Sequence, residues 1–161
     1  MAIRKISKRP LNAVELMSVS DDAIDADASD FTLYNEDPIK NRDALKFKDN
    51  KQPTVFLCNF ELTGREQAIL QNAQMAGQDE NKDQKSLLGS YVYNLTRMTL
   101  KNIINDPNES DVIKMKFDSK RYVDDSVMTV LCDNNIHLEI AGHYMTLKHG
   151  SATETGTTIK N

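Results

Sequence analysis

Apolar residues recur at intervals of three and four in two stretches, a spacing that is typical of amphipathic helices. The first stretch predicts a helix over about residues 86–104, and the second predicts a helix that ends before Gly150. The positions that define them are Leu88, Tyr91, Val92, Leu95 and Met98 in the first, and Ile136, Ile140, Tyr144 and Leu147 in the second.

Two shorter helices are predicted from their first turns. Thr63 and Glu66 have the spacing of a capping box, which starts a helix that continues to about Met75. Over residues 123–132 the acidic pair at 124 and 125 suits the first turn of a helix. The apolar residues 127–131 would also form a strand, and we favour the short helix.

Four segments have the apolar pattern of strands. Residues 54–60 are apolar on both faces, which predicts a strand that is covered on both sides. We expect this strand to form a hairpin with residues 44–48, and we expect further short strands at 30–34 and 111–117. The predicted fold class is therefore α+β, with a small, mostly antiparallel sheet and three or four helices. The core is expected to include Phe56, Phe60, Tyr91, Leu95, Ile140 and Tyr144.

Charge divides the chain into unequal parts. Residues 1–10 carry four bases and no acid, residues 11–38 carry eight acids and no base, and the remaining charges balance. Residues 18–30 are mostly Ser, Asp and Ala, so by themselves they should be disordered or weakly helical. We therefore predict a basic-then-acidic extended arm over 1–43, a compact body over 44–150 and a polar tail over 151–161.

Composition excludes several classes of protein. The chain has 161 residues, 39% of them hydrophobic, which is enough for one modest core. No apolar run approaches the ~18–20 residues of a membrane span, and no signal peptide is visible. Cys58 and Cys132 both lie in apolar runs, so we expect two buried free thiols in a reducing compartment.

No group of residues has the spacing of an active site. His137 and His143 lie on different faces of the last helix, and Glu139 with His143 supplies only two of the three ligands that a metal needs. The sequence His137-Leu138-Glu139 lacks the cysteine pair of zinc deaminases. No phosphate-binding glycine loop and no nucleophile elbow is present. We predict no catalytic, cofactor-binding or metal-binding residue and no enzymatic activity.

The N-terminal segment is the predicted partner-binding region. Its bases could dock on an acidic protein surface or contact nucleic-acid phosphates, and the apolar residues that follow could form a short patch. The predicted contact residues are Arg4, Lys5, Lys8, Arg9, Leu11, Val14, Leu16 and Met17.

Residues 44–161 resemble small proteins of tailed-bacteriophage morphogenesis. The resemblance lies in an apolar strand that runs into a Leu62-Thr63-Gly64-Arg65-Glu66 helix start, a middle helix followed by a lysine-flanked strand, and a late Glu139-Ile140-Ala141 helix before a polar tail. It implies a virion structural protein, present in multiple copies and bound to other phage proteins, in the virion or in the host cytoplasm during assembly. The alternatives are a transient tail assembly chaperone and a small nucleic-acid-binding protein that uses the basic arm.

Overall fold

A computed structural model describes residues 13–76 and 84–149, and within them the chain forms a three-stranded sheet and five α-helices. The prediction of an α+β fold is confirmed. The strands are β1 (Ala13–Met17), β2 (Val55–Asn59) and β3 (Leu100–Ile104). The helices are α1 (Ala28–Glu36), α2 (Gly64–Ala76), α3 (Gln84–Thr99), α4 (Asp125–Asp133) and α5 (Ile136–His149).

The sheet has the order β1-β2-β3, and both pairings are antiparallel. β1 pairs with β2 from Ala13 opposite Asn59 to Met17 opposite Val55. The pairing of β2 with β3 shifts register between Leu57 and Cys58. The central place of β2 explains why its sequence is apolar on both faces, and the predicted strand over 54–60 is confirmed.

Each face of the sheet supports its own cluster of buried side chains. Phe56 and Cys58 face the larger cluster, which α4 and α5 complete through Val127, Leu131 and Ile140. The opposite face carries a smaller cluster, whose members are Met17, Ile24, Tyr34, Leu45 and Val55. A third cluster joins α2, α3 and α5, and its members are Leu70, Val92, Leu95, Met98 and Ala141.

The predicted N-terminal arm is wrong for its described part, residues 13–43. β1 is an integral strand, and residues 30–34 belong to helix α1 rather than to a strand. Asp27 caps this helix, since its carboxylate accepts the Asp30 N–H at 2.9 Å while the Asp30 carboxylate accepts the Asp27 N–H at 3.1 Å. The acidic composition that suggested an unstructured arm therefore supplies helix-capping groups instead.

Three further elements differ from the prediction. The long helix ends at Thr99 and the chain continues directly as β3, because Leu100 and Ile103 gain buried positions beside β2. The expected hairpin of 44–48 with 54–60 is wrong, since β1 and β3 occupy both edges of β2. Residues 111–117 do not form a strand and make only an isolated bridge between Phe117 and Val123.

The last two helices and the core are close to the prediction. α4 begins after Asp124, whose carboxylate accepts the Ser126 N–H at 3.0 Å, so the helical interpretation of this segment is confirmed. α5 follows after Asn134 and Asn135. Phe56, Phe60, Leu95 and Ile140 are buried, and Tyr91 and Tyr144 are partly buried beside them.

The capping box at the start of α2 is confirmed, and it gives a first testable prediction. The Thr63 N–H donates to Glu66 Oε1 at 3.0 Å, and the Glu66 N–H donates to Thr63 Oγ1 at 3.1 Å. Replacing Thr63 with Ala should lower the free energy of unfolding by about 1 kcal/mol, because the Glu66 N–H loses its acceptor. Thr63→Ser keeps the hydroxyl and should change it little, so equal urea midpoints for the two variants would contradict the prediction.

Candidate functional site

The residues predicted to bind a partner separate into two groups. Arg4, Lys5, Lys8, Arg9 and Leu11 lie outside the described residues. Val14, Leu16 and Met17 lie in β1, where they are 7%, 1% and 2% exposed. Their assignment as contact residues is wrong, because the two faces of β1 are both covered and these side chains form part of the core.

Two histidines of α5 have different surroundings that do not form a metal site. His143 is buried against Tyr34, with the two rings edge to face and their centroids 5.6 Å apart. Its burial lowers the pKa of His143 to about 4, and burial also lowers the pKa of His137. No three His, Cys, Asp or Glu side chains among the residues described here are placed to hold a metal ion.

Glu139 takes part in a structural contact rather than in a ligand set. Its carboxylate accepts the Ser18 hydroxyl at 2.8 Å and the Val19 N–H at 3.2 Å, which ties α5 to the chain just after β1. Burial raises the pKa of Glu139, and the two hydrogen bonds from Ser18 and Val19 oppose that rise.

The two thiols are free, and neither has the setting of an activated nucleophile. Cys58 is fully buried in β2, and its burial raises the pKa of the thiol far above the ordinary value. Cys132 is half-buried on α4, and its pKa is also raised by burial. A thiolate, which is the reactive form, is disfavoured at both positions.

A groove of about 600 Å³ lies beside the sheet and is the candidate functional site. Residues 18–22, which follow β1, form one wall, residues 111–114 form the other, and α4 closes the base. The groove continues into a second hollow of about 230 Å³ that reaches Gln52 and Asn105. The two hollows share residues in both walls, so they form one continuous feature.

Carboxylates line the rim of this groove, and two of them have structural roles. Asp21 accepts the Thr54 N–H at 2.7 Å and the Ala23 N–H at 2.9 Å, which fixes the first wall. Asp106 accepts the Asn108 N–H at 2.9 Å and the Gln52 N–H at 3.1 Å. These two N–H groups hold the pKa of Asp106 below its ordinary value.

The floor of the groove is apolar. Phe56, Val127 and Ile136 lie beneath it as core residues that are 2%, 5% and 6% exposed, whereas Val130 on α4 is 40% exposed. The volume of the groove lies within the range of about 300–1,000 Å³ that is usual for ligand sites. A carboxylate rim around the exposed Val130 can bind a peptide segment that presents bases to the rim.

Sequence reasoning did not find this groove. Its walls come from residues about 90 positions apart, around Asp22 and Asp111, which only the folded chain brings together. The one available signal is the excess of acids over residues 11–38, which in composition alone predicts an extended arm.

No helix within the described ranges is long and apolar enough to cross a membrane. Comparison of the chain with known protein families, with curated proteins and with solved structures finds no match.

Proposed function

We propose that this chain is a non-enzymatic structural or assembly protein of a tailed-phage particle, which binds neighbouring proteins of that particle. The observation that carries the binding role is the groove, because its carboxylate rim and the exposed Val130 suit a basic peptide segment of another protein. The resemblance of residues 44–161 to phage morphogenesis proteins supports the phage context.

The arrangement of the rim favours binding over structural support alone. Asp22, Glu109 and Asp111 are exposed, and none of them forms an ion pair with a described residue. The carboxylates of Asp21 and Asp106 hold the neighbouring backbone through the N–H groups of Thr54 and Gln52, so a partner meets a preformed surface. The bases on which nucleic-acid binding would depend, at positions 4 to 9, lie outside the described residues.

The test is the composition of purified particles produced by the genome that encodes the chain. We expect the chain to sediment with the particles in a density gradient and to occur in a constant number of copies per particle, measured by quantitative mass spectrometry. A groove variant, Val130→Glu, should reduce that copy number, because it places a charge on the apolar floor.

Two other outcomes would count against the proposal. A chain that is absent from particles but whose deletion leaves incomplete particles would identify the transient chaperone of the alternative hypothesis. A genome that yields no particles, or particles unaffected by the deletion, would contradict a role in phage assembly altogether.

A further inference from the structure

An isolated antiparallel bridge closes residues 117–123 into a tight turn, which we call the basic turn. Its backbone is held by one carboxylate, because Asp118 accepts the Lys120 N–H at 2.8 Å and the Tyr122 N–H at 3.0 Å. Arg121 has the left-handed conformation, with φ at 65°, and its N–H donates to the Asp118 carbonyl at 3.1 Å. The shape of the turn is therefore fixed by its own hydrogen bonds before any partner binds.

The acids around the basic turn are engaged within the fold, whereas its bases are not. Asp118 forms an ion pair with Arg97. Asp125 accepts the Tyr93 hydroxyl at 2.6 Å, and Asp124 caps the start of α4. Four exposed bases lie on the turn or on the segment that leads into it, and none of them forms an ion pair with a described residue: Lys114, Lys116, Lys120 and Arg121.

The segment that leads into the basic turn places its lysines in a line on the outer side. Ile113 and Met115 pack against the larger core cluster, which leaves Lys114 and Lys116 exposed between and after them. The two lysines are about 7 Å apart along the chain, at ~3.4 Å per extended residue. Phe117 follows them directly, and 44% of its surface is exposed.

A line of unpaired bases beside an exposed ring suits a single strand of nucleic acid. Lysine and arginine side chains attract the phosphates, which alone would favour any anionic polymer. The exposed ring adds a surface on which an unpaired base can stack, and stacking tolerates any base because every base has a π-face. Phe117 therefore favours a nucleic acid over an acidic protein segment.

The chain has a second exposed run of two lysines around a phenylalanine, at residues 46–48, and its surroundings differ. The Asp25 N–H donates to the Lys46 carbonyl at 2.7 Å, and the Lys48 N–H donates to the Ala23 carbonyl at 2.8 Å. This pairing brings the exposed Asp25 alongside the run, and its carboxylate forms no ion pair with a described residue. The charge of these lysines is thus offset locally.

We propose that the basic turn and the segment leading into it, residues 114–122, bind single-stranded nucleic acid. The phosphates would lie along the four bases, and one unpaired base would stack on Phe117. This surface is separate from the bases at positions 4 to 9. The inference goes beyond the proposed function and does not depend on it, because it follows from the turn alone.

The test is the binding of the full-length protein to a labelled single-stranded oligonucleotide, measured by fluorescence anisotropy at several salt concentrations. The variant Lys120→Gln with Arg121→Asn removes two phosphate contacts, and Asn tolerates the positive φ at position 121. It should weaken binding roughly tenfold or more at low salt. The slope of log K against log salt should become shallower by about 1.4, since each phosphate contact contributes ~0.7.

A second variant isolates the stacking contact. Phe117→Ala keeps every charge, so it should weaken binding about fivefold or more and leave the salt slope unchanged. The matched control is Lys46→Gln with Lys48→Gln, which removes the same charge at exposed positions outside the turn. It should bind like the unaltered protein. Urea unfolding of each variant shows that the fold is retained.

Four outcomes would overturn the inference. Equal losses in the control and in the turn variant would mean that only net charge matters. Binding that the turn variant leaves unchanged would place the contact elsewhere, such as on positions 4 to 9. Tighter binding of duplex, or of polyglutamate, together with no effect of Phe117→Ala, would identify a different anionic partner. The fourth is no binding at low salt. The composition of purified particles tests the proposed function separately from all four.

Discussion

Lowering the pH from 7 to 4 should remove about 3 kcal/mol of folding stability through His143 alone. Its pKa is about 4 in the folded protein, against 6.5 for the free side chain. Between these values the unfolded chain binds a proton that the folded chain does not, so the stabilisation is complete above about pH 6.5 and is lost as the pH falls towards 4. The cause is burial against Tyr34, which disfavours the charged imidazolium.

The measurement is urea unfolding at several pH values for the unaltered protein and for His143→Gln. The variant lacks the titrating group, so its free energy of unfolding should fall much less steeply between pH 6.5 and 4. His137→Gln is the matched control on the same helix, and because His137 is only half-buried this variant should keep most of the pH dependence. Parallel pH profiles for the unaltered protein and His143→Gln would contradict the assignment.

Glu139 modifies this profile with the opposite sign. Burial raises its pKa, so the folded protein takes up a proton there before the unfolded chain does, and part of the loss is recovered as the pH falls. The comparison between the two proteins, rather than the unaltered profile alone, therefore isolates the contribution of His143.

The elements that the sequence predicted well are those whose signals are local. The capping box of Thr63 and Glu66 and the apolar stripe from Ile136 to Leu147 determine where α2 begins and which face of α5 packs, and neither depends on distant residues. β2 was predictable for a related reason, since an apolar run on both faces is typical of a central strand.

The elements that were missed are determined by pairing over long distances. The apolar pattern of α3 continues through β3 without a break. Residues 100–104 are nevertheless extended, because they pair with the edge of β2. β1 is only five residues long, and its place in the sheet follows from its pairing with residues about 40 positions away. Local propensity does not contain this information.

The candidate groove could not be predicted from the sequence for the same reason. The acids at 21 and 22 are visible as an excess of charge, but the role of Asp21 depends on the distant Thr54, whose N–H donates to the Asp21 carboxylate. Acids that cap helices and hold loops resemble, in composition alone, the acids of an unstructured segment.

Replacing Tyr34 with Ala should destabilise the whole protein by about 3–5 kcal/mol, the usual cost of removing a buried aromatic side chain. Tyr34 lies on α1, within the segment predicted to be an arm, yet none of its surface is exposed. Its hydroxyl accepts the Met17 N–H at 3.0 Å at the outer edge of β1, and its ring contacts His143 on α5. The Tyr34 side chain thus joins α1 to β1 of the sheet and to α5.

Two variants separate the contributions of this residue. Tyr34→Phe keeps the ring but leaves the buried Met17 N–H without its acceptor, which should cost about 1–3 kcal/mol. Leu33→Ala, at the adjacent exposed position of the same helix, should cost less than about 1 kcal/mol because little packing is lost.

The decisive observation is hydrogen exchange in α4 and α5, since Tyr34→Ala should accelerate exchange there if residues 13–43 unfold together with the rest of the fold. Acceleration confined to α1 and β1 would instead make the N-terminal segment a separately unfolding unit.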